Sequence, residues 1–221
     1  MTDLYFSLMQ DNFLMLTTKK NNLSFEQLLG ELSKKLKIKN FNTVLLEQIH
    51  SNNILYADTS GFYKNHDGII LSSTSNLIPV IVTADCIPMF IYDKVTGSYG
   101  LIHCGWRGVV DSIHIKALDG FIKMNSKIND INIYLGPSIQ GCCYEIGDDI
   151  INKFNKESIN HKNHKKYLNL FKEISSGFIQ AGLDEKNINY SNICTYENNA
   201  CYSYRRNGHS KGRMYSMMIK K

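Results

Sequence analysis

A chain of 221 residues suits one domain and is long enough to bury a substantial core. Its 43% hydrophobic content is ordinary for a globular protein, and the thin positive excess, a net charge of +5 with an isoelectric point near 8.8, does not by itself argue for nucleic acid and fits an anionic small substrate equally well. No apolar run approaches the roughly 18 to 20 residues that span a bilayer, and six scattered cysteines without a CxxC pair, behind opening residues lacking a secretory pattern, point to a reduced, cytoplasmic protein.

Tyr5 to Met9 and Phe13 to Thr18 read as two strands around Gln10-Asp-Asn12, an opening hairpin. Ser24-Phe-Glu-Gln27 has capping-box spacing, and Phe25, Leu28, Leu29, Leu32 and Leu36 recur at helical intervals, so an amphipathic helix is predicted from Ser24 to about Ile38. Asn42 to His50 follows as a strand whose alternation sets Val44, Leu46, Gln48 and His50 on one face, with Asn53 to Asp58 continuing after a turn. His66 to Leu71 is a further strand, and the Asp67-Gly68 pair implies tight backbone geometry at its start.

Leu77 to Thr83 is apolar and rich in β-branched residues, as a buried strand requires, and it stops at Ala84-Asp85-Cys86. Met89 to Asp93 and Ser98 to Cys104 form a predicted hairpin turning on Lys94-Val-Thr-Gly97. Alternation then puts Tyr99, Leu101 and His103 on one face and Ile102 and Cys104 on the other, so His103 and Cys104 serve different sides. Gly105-Trp-Arg-Gly108 breaks that strand and helical spacing resumes at Val109, which places Arg107 at a strand-to-helix turn where backbone amides favour anions.

Ile131 to Leu135 reads as a buried strand, Gly136 to Glu145 as an ordered loop, and Tyr144 to Lys156 as a helix. Asn160 to Lys166 has the composition of a surface linker, Tyr167 to Gly182 is a second amphipathic helix with a glycine C-cap, and Ile188 to Thr195, Cys201 to Arg206 and Arg213 to Ile219 are closing strands. No internal repeat or interior linker divides the chain, so residues 1–221 read as one domain.

Three residues at predicted strand ends carry the sharpest chemistry. His50, Cys86 and His103 offer two imidazoles and a thiolate, a three-ligand set that leaves a fourth position open for water or substrate. Their spacing alone favours three buried structural residues, since the set lacks any classical zinc signature. Arg107, flanked by glycines, is suited to a phosphate or carboxylate, or else to backbone carbonyls. Tyr202-Ser-Tyr-Arg-Arg206, with Lys211-Gly-Arg213, is either an exposed basic hairpin or an anion-binding loop. Trp106 reads as a core residue. Cys142 and Cys143 would point apart in regular backbone and so would not share a metal, reading instead as buried loop residues, while His114, His161, His164 and His209 read as solvent-exposed.

Taken in order, Gln48-Ile-His50, Asp67-Gly68, Ala84-Asp-Cys86 with Pro88, His103-Cys-Gly-Trp-Arg-Gly108, Gly136-Pro-Ser-Ile139 with Cys143-Tyr-Glu145, and Ser203-Tyr-Arg-Arg206 with Gly212-Arg-Met214 resemble the motifs of the YfiH family, long labelled polyphenol oxidases or laccase-domain proteins. The match runs from about Thr43 onward. Upstream, Thr17 to Ser24 resembles a degraded TRxGGxS segment, with Lys19 where arginine is expected.

The resemblance implies an α+β fold: one mixed α and β domain with a β-sandwich-like core flanked by helices, related to the catalytic domain of cytotoxic necrotising factor toxins. It implies a purine nucleoside phosphorylase acting on adenosine, inosine and methylthioadenosine with phosphate, with adenosine deaminase activity on the same scaffold. It also implies zinc, ranked ahead of copper, on His50, Cys86 and His103. Arg107, with Arg205 and Arg206, is then expected to hold substrate. The alternative is a metal-free cysteine hydrolase with Cys86 as nucleophile and His103 as base.

Overall fold

In the computed structural model, which describes residues 4–208 and 212–221, the early part of the chain supplies strands to both large sheets. β1 (Tyr5–Gln10) and β2 (Phe13–Thr18) pair antiparallel, and α1 (Phe25–Leu36) starts at the expected capping box, where Ser24 Oγ accepts from Gln27 N and Gln27 Oε1 accepts from Ser24 N. The helix stops at Leu36 because Lys37 turns left-handed. Next come β3 (Thr43–Leu46), β4 (Ile54–Tyr56), β5 (Gly61–Tyr63), β6 (Gly68–Leu71), β7 (Ile78–Thr83), β8 (Ile87–Asp93) and β9 (Tyr99–Cys104). After α2 (Trp106–Val110) and α3 (Ile113–Lys123) come β10 (Ile131–Leu135), β11 (Glu145–Ile146), α4 (Asp148–Ile151), β12 (Ile159–Lys162) and β13 (Lys165–Leu168). The remaining elements are α5 (Leu170–Gln180), β14 (Ile188–Tyr190), α6 (Tyr204–Asn207) and β15 (Met214–Lys220).

Two six-stranded mixed sheets form, in the orders β1-β2-β15-β7-β3-β5 and β14-β10-β8-β9-β6-β4, beside a small sheet β11-β13-β12. Phe13, Met15, Phe90, Tyr92, Tyr99, Leu101 and Met218 fill the space between the large sheets. The other face of the first sheet, through Leu14, Leu16, Met217 and Ile219, meets Leu28 and Leu32 of α1. The other face of the second, through Met89, Ile91, Ile102 and Cys104, meets Leu118 and Phe121 of α3 and Ile174 and Phe178 of α5. Both faces of β7, β8 and β9 are therefore covered, which is why these strands read as continuous apolar runs. Truncating a ring such as Phe121, fully buried, to alanine would cost about 3–5 kcal/mol. This is a single α+β domain with a sandwich-like core and helices outside it, as expected. No helix among the described residues is long and apolar enough to cross a membrane.

Several local expectations fail for identifiable reasons. The Asn42 to His50 strand ends at Leu46, because the next residues wrap onto a carboxylate described below. Helix does not run from Tyr144 to Lys156: Glu145 and Ile146 pair with Tyr167 and Lys166, and only Asp148–Ile151 coils. The supposed linker at Asn160 to Lys166 is the β12–β13 hairpin, turned by Asn163 and His164 with φ of 49° and 59°, the left-handed pair that a type I′ turn requires. Cys201 to Arg206 is no strand, since Ser203 caps α6 by accepting from Arg206 N. His114 is buried edge-on against Phe178, where burial pushes its pKa down to about 4, whereas His161 and His164 are exposed. The readings of His209 and Lys211 lie outside the described residues.

Candidate active site

Asp67, fully buried just before β6, is the residue on which the site is assembled. Its carboxylate accepts hydrogen bonds from the backbone amides of Ile49, His50 and Ser51 at 3.2, 3.0 and 2.7 Å and from the Ser51 hydroxyl at 2.8 Å. The chain after Leu46 therefore curls around this anion, and His50 takes a left-handed φ of 61°. Gln48 pins the curl to the first sheet, its side-chain amide donating to Val82 O and accepting from Val82 N like a short piece of backbone.

The same carboxylate lies 2.8 Å from Nδ1 of His103, at the end of β9. That contact fixes the ring's orientation and leaves Nε2 for a ligand, the carboxylate–histidine arrangement found behind metal sites. As alternation predicted, His103 and Cys104 face opposite ways: Cys104 is in the core beneath the helices and His103 lines the site. Cys86 arrives through the β7–β8 turn. There Asp85 holds a φ of 92°, its carboxylate accepting from Thr195 Oγ1, Ser203 Oγ and Arg205 N, while Ile139 N donates to its carbonyl oxygen.

Donor atoms of His50, Cys86 and His103 thus lie within 4.8 Å of one another. The two rings stand edge to face, with centroids 4.8 Å apart. A Cβ on Gly105 would sit 3.0 Å from the His50 ring and 3.3 Å from Cys86 Sγ, so only glycine fits without moving a donor. Burial alone would raise the carboxyl of Asp67, but hydrogen bonds from His103 and Ser51 hold it down to about 2. Burial would likewise raise the Cys86 thiol, yet the charge and hydrogen bond of His103 and the hydrogen bond of His50 outweigh it and favour the thiolate. His103 is raised despite burial, through Cys86 and Asp67.

These donors open into a cavity of about 550 Å³ also walled by Trp106, Arg107, Tyr144, Tyr204, Arg205 and Arg213. Arg107 lies in the first turn of α2, its guanidinium 4.3 Å from the Trp106 ring, so Trp106 is a cavity wall as well as a packing residue. Arg205 sits 5.5 Å from the Tyr144 ring and donates to Glu145 O. Arg206 is not brought to this cavity. Its guanidinium donates to the carbonyls of Thr195, Tyr196, Asn198 and Cys201 and fastens their loop.

Asp67 as an organising anion, Asp85 as a latch and Tyr144 as a wall are roles that residue spacing did not disclose. The available signal for Asp67 was a carboxylate placed directly before the all-apolar Gly68–Leu71. Cys142 and Cys143 also differ from expectation: neither is buried, because residues 141–143 form a surface turn to which strand alternation does not apply, and the Sγ atoms of the pair approach to 3.2 Å.

A mixed α+β sandwich carrying a two-histidine, one-cysteine cluster at its strand ends defines a class of proteins, and comparison with known ones identifies it. The model of the family described as multi-copper polyphenol oxidoreductase laccase matches residues 15–221, and the chain belongs to this family, the YfiH family. The match takes in the divergent Thr17 to Ser24 segment as well as the later motifs. A purine nucleoside phosphorylase of Clostridium acetobutylicum is 34% identical over 184 residues, covering 80% of this chain and 76% of that protein. One from Borreliella burgdorferi is 35% identical over 213 residues, covering 89% and 88%. The crystal structure of Bacillus licheniformis hypothetical protein YfiH superposes with a TM-score of 0.85 at 24% identity, covering 95% of this chain and 93% of that one, a likeness of fold.

The expected ranking of zinc ahead of copper is overturned. The matching family is described by copper, and two imidazoles with one thiolate form a donor set that copper sites use. The residues do fit a transition-metal ion: one thiol is biased towards thiolate, one imidazole is oriented by a carboxylate, and a glycine keeps the space between the donors clear.

Proposed function

We propose that residues 1–221 act as one catalytic unit, a metal-assisted purine nucleoside phosphorylase in the cytoplasm, cleaving adenosine, inosine and methylthioadenosine with phosphate and deaminating adenosine in the same cavity. The observation that carries this reading is the opening of the His50–Cys86–His103 cluster into a cavity that also holds Arg107 and Arg205. The names of the two bacterial relatives agree with it.

In phosphorolysis a phosphate oxygen bonds to the anomeric carbon as the bond to the purine nitrogen breaks, and the electron pair leaves with the base. The enzyme must hold an anion in line and tolerate positive charge developing on the sugar. Arg107 and Arg205 hold the phosphate, their planar heads steadied by Trp106 and Tyr144. His50, Cys86 and His103 would hold the ion, and Asp67 keeps His103 oriented with Nε2 free to ligate. Lewis-acid polarisation of base, phosphate or water is the chemistry that such an ion supplies when bound.

Base release from adenosine or inosine should require phosphate and yield ribose 1-phosphate, and Arg205→Gln should raise the KM for phosphate about tenfold. Equal rates with and without phosphate would replace this reading with hydrolysis. A second reading draws on the Cys86–His103–Asp67 line, which has the order of a nucleophile, a base and an orienting carboxylate. It has no use for His50. Wild-type protein verified to be metal-free decides between them: full activity together with a covalent adduct at Cys86 selects the hydrolase.

A further inference from the structure

Away from the catalytic cavity a second group of donors converges. Cys142, Cys143, Cys194 and Glu197 each place one ligand atom within 4.8 Å of the others. Cys142 and Cys194, 52 positions apart in sequence, have Sγ atoms separated by 3.8 Å. That equals the edge of a tetrahedron whose metal–sulfur bonds are about 2.3 Å, an edge of about 3.8 Å. Cys142 and Cys143, at 3.2 Å, need to open slightly to span another edge, and Cys142 lies on the exposed side of the group.

The backbone beneath these donors is fixed from both sides. Ser138 and Cys194 form a parallel bridge in which Thr195 N donates to Ser138 O. Cys143 N donates to Gln140 O, and the Gln140 side chain donates to Ser191 O, so each cysteine-bearing loop is held by the other. Asn198 N donates to Cys194 O, closing the turn that brings Glu197 over the sulfurs.

We propose that Cys142, Cys143, Cys194 and Glu197 form a second metal site, closed by four protein ligands and suited to a thiophilic divalent d10 cation that takes tetrahedral coordination, for which Cd(II) is the spectroscopic probe. Thiolates select such ions, and three of them with one carboxylate complete a tetrahedron without a position for substrate. A disulfide would use two of the sulfurs and leave the third, with Glu197, unexplained. The site is structural, and what it fastens is the roof of the catalytic cavity. Thr195, next to Cys194, donates to the Asp85 carboxylate, and Ile139, in the loop of Cys142, donates to the Asp85 carbonyl. Asp85 in turn sets the turn that presents Cys86. The proposal rests on this geometry and not on the phosphorylase reading.

The test uses full-length protein without an affinity tag, reduced, stripped of metal and titrated with Cd(II), followed by thiolate-to-metal charge-transfer absorption and by metal analysis. Cys86→Ser, which disables the catalytic cluster, should still take up about one Cd(II) per chain with sulfur charge transfer. Adding Cys142→Ser and Cys143→Ser should abolish that uptake. In the Cys86→Ser background, Glu197→Gln, at an exposed position, should weaken it about tenfold. Loading should also raise the melting temperature of Cys86→Ser but not of the triple variant. The proposal falls if Cys86→Ser melts cooperatively yet shows no Cd(II) charge transfer. It falls equally if protein isolated under non-reducing conditions is lighter by two hydrogens through a Cys142–Cys194 or Cys142–Cys143 bond.

Discussion

The two clusters reach the same compactness, donors within 4.8 Å, by opposite means. In the His50–Cys86–His103 cluster the side chains are oriented by other side chains: Asp67 grips His103 and the amides around His50, and the Cys86 turn hangs from the Asp85 carboxylate. In the Cys142–Cys143–Cys194–Glu197 group the backbones are tied and the side chains are left to settle. A centre that must keep one position open needs its donors aimed, whereas a closed four-ligand site needs only that its donors be near.

Asp67→Ala should separate the two most sharply. It leaves His103 and three amides unpaired, and the expected loss is about 3–5 kcal/mol in urea unfolding, with metal gone from the catalytic cluster and retained at the sulfur-rich one. Unchanged metal at the catalytic cluster would erase the distinction. Arg206→Gln acts on the opposite side. Its head ties four carbonyls of the loop bearing Cys194 and Glu197, so stability should fall by about 2–3 kcal/mol and Cd(II) binding there should weaken, while the KM for phosphate stays within about twofold. A large rise in that KM would return Arg206 to the substrate.

Gly105→Ala sharpens the comparison further. Its φ of −76° and ψ of 157° suit alanine, so the whole effect comes from the new methyl pressing on His50 and Cys86. Metal affinity at the catalytic cluster should drop about tenfold with little change in unfolding. The smallest effect is expected in acid. Asp67 is held at about 2, below its ordinary value, so the stability it contributes is complete above about pH 5 and drains as pH falls through its folded pKa. By pH 4 the loss is only about 0.3 kcal/mol, and Asp67→Asn should remove that slope.

What residue order disclosed depended on how local the cause was. The hairpin at Met89 to Cys104, the Ser24 cap and the opposed faces of His103 and Cys104 follow from alternation and short-range hydrogen bonding, and they stand as read. His50 and Gln48 were placed on one face of a strand that does not exist there; they reach the cavity because Asp67, 17 positions from His50, reshapes the backbone. Composition misled at Asn160 to Lys166, where polar residues form a hairpin rather than a linker, and at His114, where one buried imidazole lies among helix residues. Arg205 and Arg206 show the limit most plainly. They are adjacent and chemically identical, and only the carbonyls around Arg206 separate their roles.

β15 lies between β2 and β7, in the interior of the first sheet, although it comes after every other described element in the chain. During synthesis, β2 and β7 must therefore wait with unpaired edges until residues 214–220 have left the ribosome. The α1 face, which needs Met217 and Ile219, stays incomplete for the same interval. The second sheet draws only on strands up to β14 and can close first. Its pairing would stand as a half-built platform onto which the other layer condenses in one late, long-range step, slow by the measure of contact order and open to edge-to-edge aggregation until it is taken.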